Sequence, residues 1–120
     1  MANTLYVRLG GADGIAKLVD DAVDAHLANP MVKTRFENTK DIEHAKKMSR
    51  EFFCAGAGGP ETYTGRDMLT AHKGMNISEQ EYIAVVDDIL GAMEKNKVGE
   101  NEQKDVLAIL YSLKGNIIRV

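Results

Sequence analysis

Four long stretches of this chain repeat apolar residues at every third or fourth position, and nowhere do they alternate as in a half-buried strand. A chain so patterned packs helices against helices. Ile15, Leu18, Val19, Ala22, Val23, His26 and Leu27 form the first long stripe, with Lys17, Asp20, Asp21 and Asp24 opposite and Asn29-Pro30 as its stop. Ile42, Ala45, Met48, Ser49, Phe52 and Phe53 form the second, in a helix expected to start near Thr39 or Asp41 and to run to about Ala57. Ser78-Glu79-Gln80-Glu81 reads as a capping box before Tyr82, Val85, Val86, Ile89, Leu90 and Met93. Val106, Ile109, Leu110, Leu113 and Ile117 mark the last helix, mildly interrupted at Gly115. Shorter pieces complete the pattern: an abbreviated first helix over 4–9 closed by Gly10-Gly11, a tight turn over 31–36, and a polar loop over 37–40. With no internal repeat and no linker, residues 1–120 are expected to be one all-α domain, and four such helices alone would make a bundle.

Charge and composition remove several function classes. A net charge of -3 without a basic run argues against nucleic acid or an anionic membrane as partner. No apolar run approaches the roughly 18 residues of a spanning helix, and the first residues lack a basic-then-apolar leader. A cytoplasmic location is therefore expected. The single cysteine, Cys54, excludes an internal disulfide framework and reads as a small packing residue. Asp20-Asp21 and Asp87-Asp88 read as solvated helix faces, and His26, on the apolar stripe, as a hydrogen-bonded packing residue.

Between the second and third long helices, Gly58-Gly59-Pro60 breaks the helical pattern and a short segment follows that carries His72. Met68 and Leu69 precede it by four and three residues, so in a helix they share its face. Met75 extends that face, and Ile77 follows a break at Gly74. An imidazole on an apolar floor suits a flat, greasy, metal-containing ligand. On its own a lone histidine is more often a surface or core residue.

The combination is more specific. Leu9-Gly10-Gly11, Gly58-Gly59-Pro60, Tyr63-Thr64-Gly65 and Met68…His72…Met75…Ile77 resemble the truncated haemoglobins, and most closely their first group, from Thr4 to about Val120. The resemblance implies two antiparallel helix pairs stacked around haem b, a 2-on-2 globin fold, with His72 as the proximal iron ligand. It implies that Phe36 packs flat on the porphyrin. Phe52, Phe53, Met68, Leu69, Met75, Ile77, Tyr82 and Val86 are candidate wall residues, and Tyr63, Arg66 and Lys73 are candidates to meet the propionates. Relatives usually carry a tyrosine on the second helix to hydrogen-bond bound oxygen, but a gap-free count from Leu9-Gly10-Gly11 puts Val23 there. Counting back from Gly58-Gly59 puts Ala45, Met48 and Ser49 on the facing helix, and only Ser49 has a hydroxyl. A charge-assisted hydrogen bond is worth roughly 1.5–3 kcal/mol. Its loss weakens retention about 10- to 150-fold. Met48 or His44, about 40° apart on a helical wheel, are candidates to close the sixth iron position.

Three functions remain in view. The leading one is reversible binding of oxygen, carbon monoxide or nitric oxide, as in oxygen transport, by a monomer. The second is a haem redox enzyme, a nitric oxide dioxygenase or weak peroxidase, fed by an external reductase. The third is a haem-free helical interaction module.

Overall fold

The structure is a computed structural model that describes residues 4–37 and 41–120. Its helices are α1 (Leu5–Arg8), α2 (Gly11–Ala28), α3 (Lys33–Glu37), α4 (Ile42–Gly56), α5 (Met68–His72), α6 (Glu79–Lys95) and α7 (Glu100–Leu113), followed by a 3-10 turn, Lys114–Asn116. Glycine makes the first turn possible. Gly10 and Gly11 sit at φ 98° and 69°, left-handed values that side chains resist, and so reverse the chain between α1 and α2. Gly59 is bare for another reason: a Cβ there would run into the Tyr6 ring and stand 2.9 Å from the Cys54 carbonyl.

The helices pair as expected for the 2-on-2 arrangement. α2 packs on α4, α6 packs on α7, and a broad α2–α6 contact joins the two pairs. Ile15, Leu18, Val19 and Met93 fill that junction, fully buried or nearly so. Each contributes about 1.5–3 kcal/mol by leaving water. The capping box at Ser78 is complete: the Ser78 hydroxyl accepts from the Glu81 amide while the Glu81 carboxylate accepts from the Ser78 amide. Asp41 caps α4 by accepting from the His44 amide; the alternative start at Thr39, like most of the expected 37–40 loop, lies outside the described residues.

Three expectations change. The 31–36 turn ends in a short helix, α3. The last helix stops at Leu113, and Gly115 lies in the 3-10 turn instead of inside a helix. The physical reason is a competing set of backbone hydrogen bonds. Ile118 bridges Ile77, the Arg119 amide donates to the Ile77 carbonyl at 2.9 Å, and the Gly74 and Asn76 amides both donate to the Val120 carbonyl at 3.2 Å. The C-terminal residues thus clamp the segment that follows His72. Finally, the acids of α2 are not merely solvated. Asp20 meets Arg50 at 3.2 Å and Asp24 meets Lys46 at 3.9 Å, tying α2 to α4, while Asp21 meets Lys95 and Asn96 at the end of α6. Such partly exposed pairs are each worth about 1 kcal/mol or less.

Candidate functional site

The stripe on α4 is a puzzle as packing: of its whole length only Cys54 is fully buried. Ala45, Met48, Ser49, Phe52 and Phe53 are half-buried because they face a cavity of about 400 Å³ instead of a filled core. Opposite them stand Leu18, Val19, Ala22, Val23 and His26 of α2, with Val32, Arg35 and Phe36 closing one end. The far wall is built from Met68, Ala71 and His72 of α5, Met75, Ile77, and Glu81, Tyr82, Val85 and Ile89 of α6. Tyr63, Leu110, Leu113 and Ile117 complete it. The cleft opens to solvent, and its lining is mostly apolar, a surface that an apolar occupant would cover better than water does.

His72 projects into this apolar slot from the last residue of α5. Its Nδ1 lies 2.8 Å from the Met68 carbonyl oxygen. A carbonyl can only accept, so Nδ1 carries the proton and donates, and Nε2 is left with its lone pair. A fixed tautomer with one free ring nitrogen is the arrangement of a metal-ligating histidine. Among the described residues no group of three His, Cys, Asp or Glu side chains could hold a bare metal ion. A single imidazole over an apolar floor fits instead a metal that arrives with its own equatorial ligands, as haem iron does. The volume lies within the roughly 300–1,000 Å³ of small-molecule sites.

Most residues proposed from the sequence line this cavity: Phe36, Phe52, Phe53, Tyr63, Met68, Met75, Ile77 and Tyr82, together with Val23, Ala45, Met48 and Ser49. Others do not. Leu69 is 42% exposed on the outer side of the short α5, and Val86 is buried in the core among neighbours other than the cavity. Arg66 and Lys73 are exposed, and only the Arg66 carbonyl takes part, accepting from the Tyr63 hydroxyl. That bond turns the Tyr63 oxygen inward on its own loop. His44 is exposed on α4, so of the two candidate sixth ligands only Met48 lies on the cavity wall. Cys54 is buried, and burial pushes its thiol up to about 11, which keeps it protonated and unreactive.

Two polar assemblies at the cavity were not anticipated. Arg35 forks onto Glu81, Nε to Oε2 at 2.6 Å and Nη2 to Oε1 at 3.0 Å, while Nη1 donates to the Met75 carbonyl at 2.9 Å. The Arg35 guanidinium, helped by the Ser78 amide, holds the Glu81 carboxyl down to about 2. This latch joins α3 to the start of α6 and to the segment after His72. The second assembly is His26, whose Nδ1 lies 2.8 Å from Asp88 on α6 and whose ring stacks on Phe36 at 5.1 Å. His26 is buried and hydrogen-bonded as expected, but Asp88 is its partner and not a solvated acid. Tyr82 ties α6 to α7 through a hydroxyl bond to the Leu110 carbonyl.

Residues 4–119 match the family described as bacterial-like globin. The chain is similar to the group 1 truncated hemoglobin of Tetrahymena pyriformis, at 32% identity over 115 residues, covering 87% of this chain and 94% of that protein. It is also similar to the group 1 truncated hemoglobin GlbN of Synechocystis, at 28% identity with 89% of each chain covered. Its fold superposes on the crystal structure of the Tetrahymena pyriformis truncated hemoglobin in the Fe(III) form with a TM-score of 0.94, at 26% identity over 98% of this chain and all of that one.

Proposed function

The chain belongs to the bacterial-like globins, among the group 1 truncated hemoglobins, and on that premise we propose that its cavity holds haem b through His72 and reversibly binds oxygen and other diatomic gases. Globins as a family bind haem and diatomic gases. What is particular here is the assignment to residues, and the observation that carries it is the free Nε2 of His72 in a 400 Å³ apolar cavity. When bound, haem supplies the iron that takes up the gas. The chain does the rest.

The Nδ1–H bond to Met68 orients the His72 ring and makes its other nitrogen a better donor. Phe36 offers a flat face at one end of the slot, and the α4 and α6 walls exclude bulk water. The Arg35–Glu81 latch holds the Met75 carbonyl, three residues after His72. On the opposite side Val23, Ala45 and Met48 offer no hydrogen-bond donor, and Ser49 supplies the one hydroxyl among the residues counted there. Oxygen loss should therefore be about 10- to 150-fold faster than from a pocket with a tyrosine donor. Carbon monoxide, with less charge on its outer atom, should be affected less.

We read residues 1–120 as one domain acting as a cytoplasmic monomer. Among the described residues no helix is long and apolar enough to cross a membrane. Optical spectra of the oxidised, reduced and carbon monoxide-treated protein test the binding function, with stopped-flow oxygen release for its polarity. A gas-sensitive Soret band and fast oxygen loss are expected. A protein whose reduced spectrum ignores carbon monoxide, or whose oxygen release is very slow, overturns the corresponding part. Nitric oxide consumption with an external reductant, absent in His72→Ala, would instead favour the dioxygenase reading.

A further inference from the structure

His26 is 5% exposed, yet it lines the cavity. Its Nδ1 is engaged by Asp88, an acceptor when ionised, so Nδ1 carries the proton, and in the neutral ring Nε2 then holds the lone pair. The orientation is enforced from behind. The Asn29 side-chain oxygen accepts from the Met31 amide at 3.0 Å, which turns the Asn29 amide nitrogen onto both oxygens of Asp88 at 3.2 Å. Phe36 covers one face of the ring, 18° from parallel. Among the described residues no hydrogen bond reaches Nε2. An unpartnered ring nitrogen on a cavity wall, backed by a carboxylate on the other nitrogen, can receive a proton.

We infer that His26, positioned by Asp88, is the proton acceptor of the cavity for small protic ligands, weak acids of the type H–X such as hydrogen cyanide, hydrogen sulfide or hydrogen peroxide. This rests on the haem reading of the same cavity. His26 lies three residues after Val23, hence on the same face of α2 about one turn along. The basic group therefore stands beside the apolar surface that a diatomic gas would meet. As the acid enters, its H–X bond breaks, the proton forms an N–H bond at Nε2, and X⁻ keeps the electron pair. The imidazolium is balanced by Asp88 and its new N–H faces the anion. Carbon monoxide has no proton to lose and gains nothing. The site thus separates protic ligands from neutral diatomics, a distinction that size alone cannot make.

The test compares cyanide association to the oxidised, hemin-loaded protein with carbon monoxide association to the reduced protein, in wild type, His26→Leu and Asp88→Asn. The Asp88→Asn variant preserves shape and covers the case in which His26→Leu fails to fold. ¹⁵N spectra of His26 report the tautomer independently. Positioned general bases contribute about 10²-fold or more, so cyanide association at neutral pH should slow about 100-fold in His26→Leu and at least about 10-fold in Asp88→Asn. Carbon monoxide association should stay within about twofold, and Nδ1 should be the protonated nitrogen. Unchanged cyanide rates in a protein that takes up hemin and binds carbon monoxide normally overturn this inference alone. Equal slowing of both ligands overturns it too, because that marks a packing role. A protein that takes up no hemin overturns the haem reading and this inference with it.

Discussion

Replacing Glu81 by glutamine removes the charge from the latch beside His72 and, with the remaining oxygen kept by the Ser78 amide, also the hydrogen bond from Arg35 Nε, which then faces an amide nitrogen. Glutamine has the same length and keeps an oxygen for the Ser78 amide, so the capping box survives and Arg35 retains its bond to the Met75 carbonyl. A carboxyl held at about 2 instead of 4.5 corresponds to at most about 3.4 kcal/mol of native-state stabilisation. The Arg35 and Glu81 side chains keep 30% and 18% of their exposure, so water screens the pair and about 1–2 kcal/mol is the realistic loss. For 120 residues, at roughly 2.1 cal/mol/K of unfolding entropy per residue, that is a fall in Tm of about 4–8 °C. The pH dependence fixes the sign. A depressed carboxyl stabilises above its unfolded value, and the contribution is lost as pH falls through 4.5 towards 2. Wild type and Glu81→Gln should thus differ fully at pH 6, by less than half as much at pH 3.5, and converge below that. Far-UV circular dichroism melts at both pH values measure it. A gap of the same size at pH 6 and 3.5, or none at pH 6, would refute the assignment of the stabilisation to this charge.

Val23→Tyr should restore a donor beside the cavity and slow oxygen release about 10- to 150-fold in stopped-flow measurements, with carbon monoxide release changing less. Ile15→Ala removes a fully buried side chain outside the cavity wall, so Tm should fall by about 8–20 °C, for about 2–5 kcal/mol, while hemin affinity at 20 °C stays within about twofold. Gly59→Ala forces a methyl group against the Tyr6 ring and should cost about 1–3 kcal/mol in a urea melt.

What the sequence made legible is what local spacing encodes. The stripes of α2, α4 and α6, the capping box at Ser78 and the isolated imidazole of His72 all depend on residues within a few positions of one another, where helical geometry leaves one answer. Even the α4 stripe was legible only as apolar; that it borders a void and not a packed core depends on how far α2 and α6 stand from it. The latch and the His26 pair escaped because their partners are 46 and 62 residues apart. Glu81 already had a sufficient local role in the capping box, and Asp88 looked like any acid on a helix surface. A histidine inside an apolar stripe was the one available signal that a distant acid must be found for it. The end of α7 was misjudged for the same reason, since the Ile77–Ile118 bridge rests on contacts from the other end of the molecule.

The central claim is a bond from Nε2 of His72 to haem iron inside this cavity. Titration of hemin into the haem-free protein, followed at the Soret band, addresses it most directly when wild type, His72→Gly, and His72→Gly with added imidazole are compared. Wild type should saturate at one hemin per chain with a histidine-ligated spectrum, His72→Gly should lose that spectrum, and imidazole should restore it. Wild-type and His72→Gly proteins that give the same spectrum and the same affinity would contradict the claim.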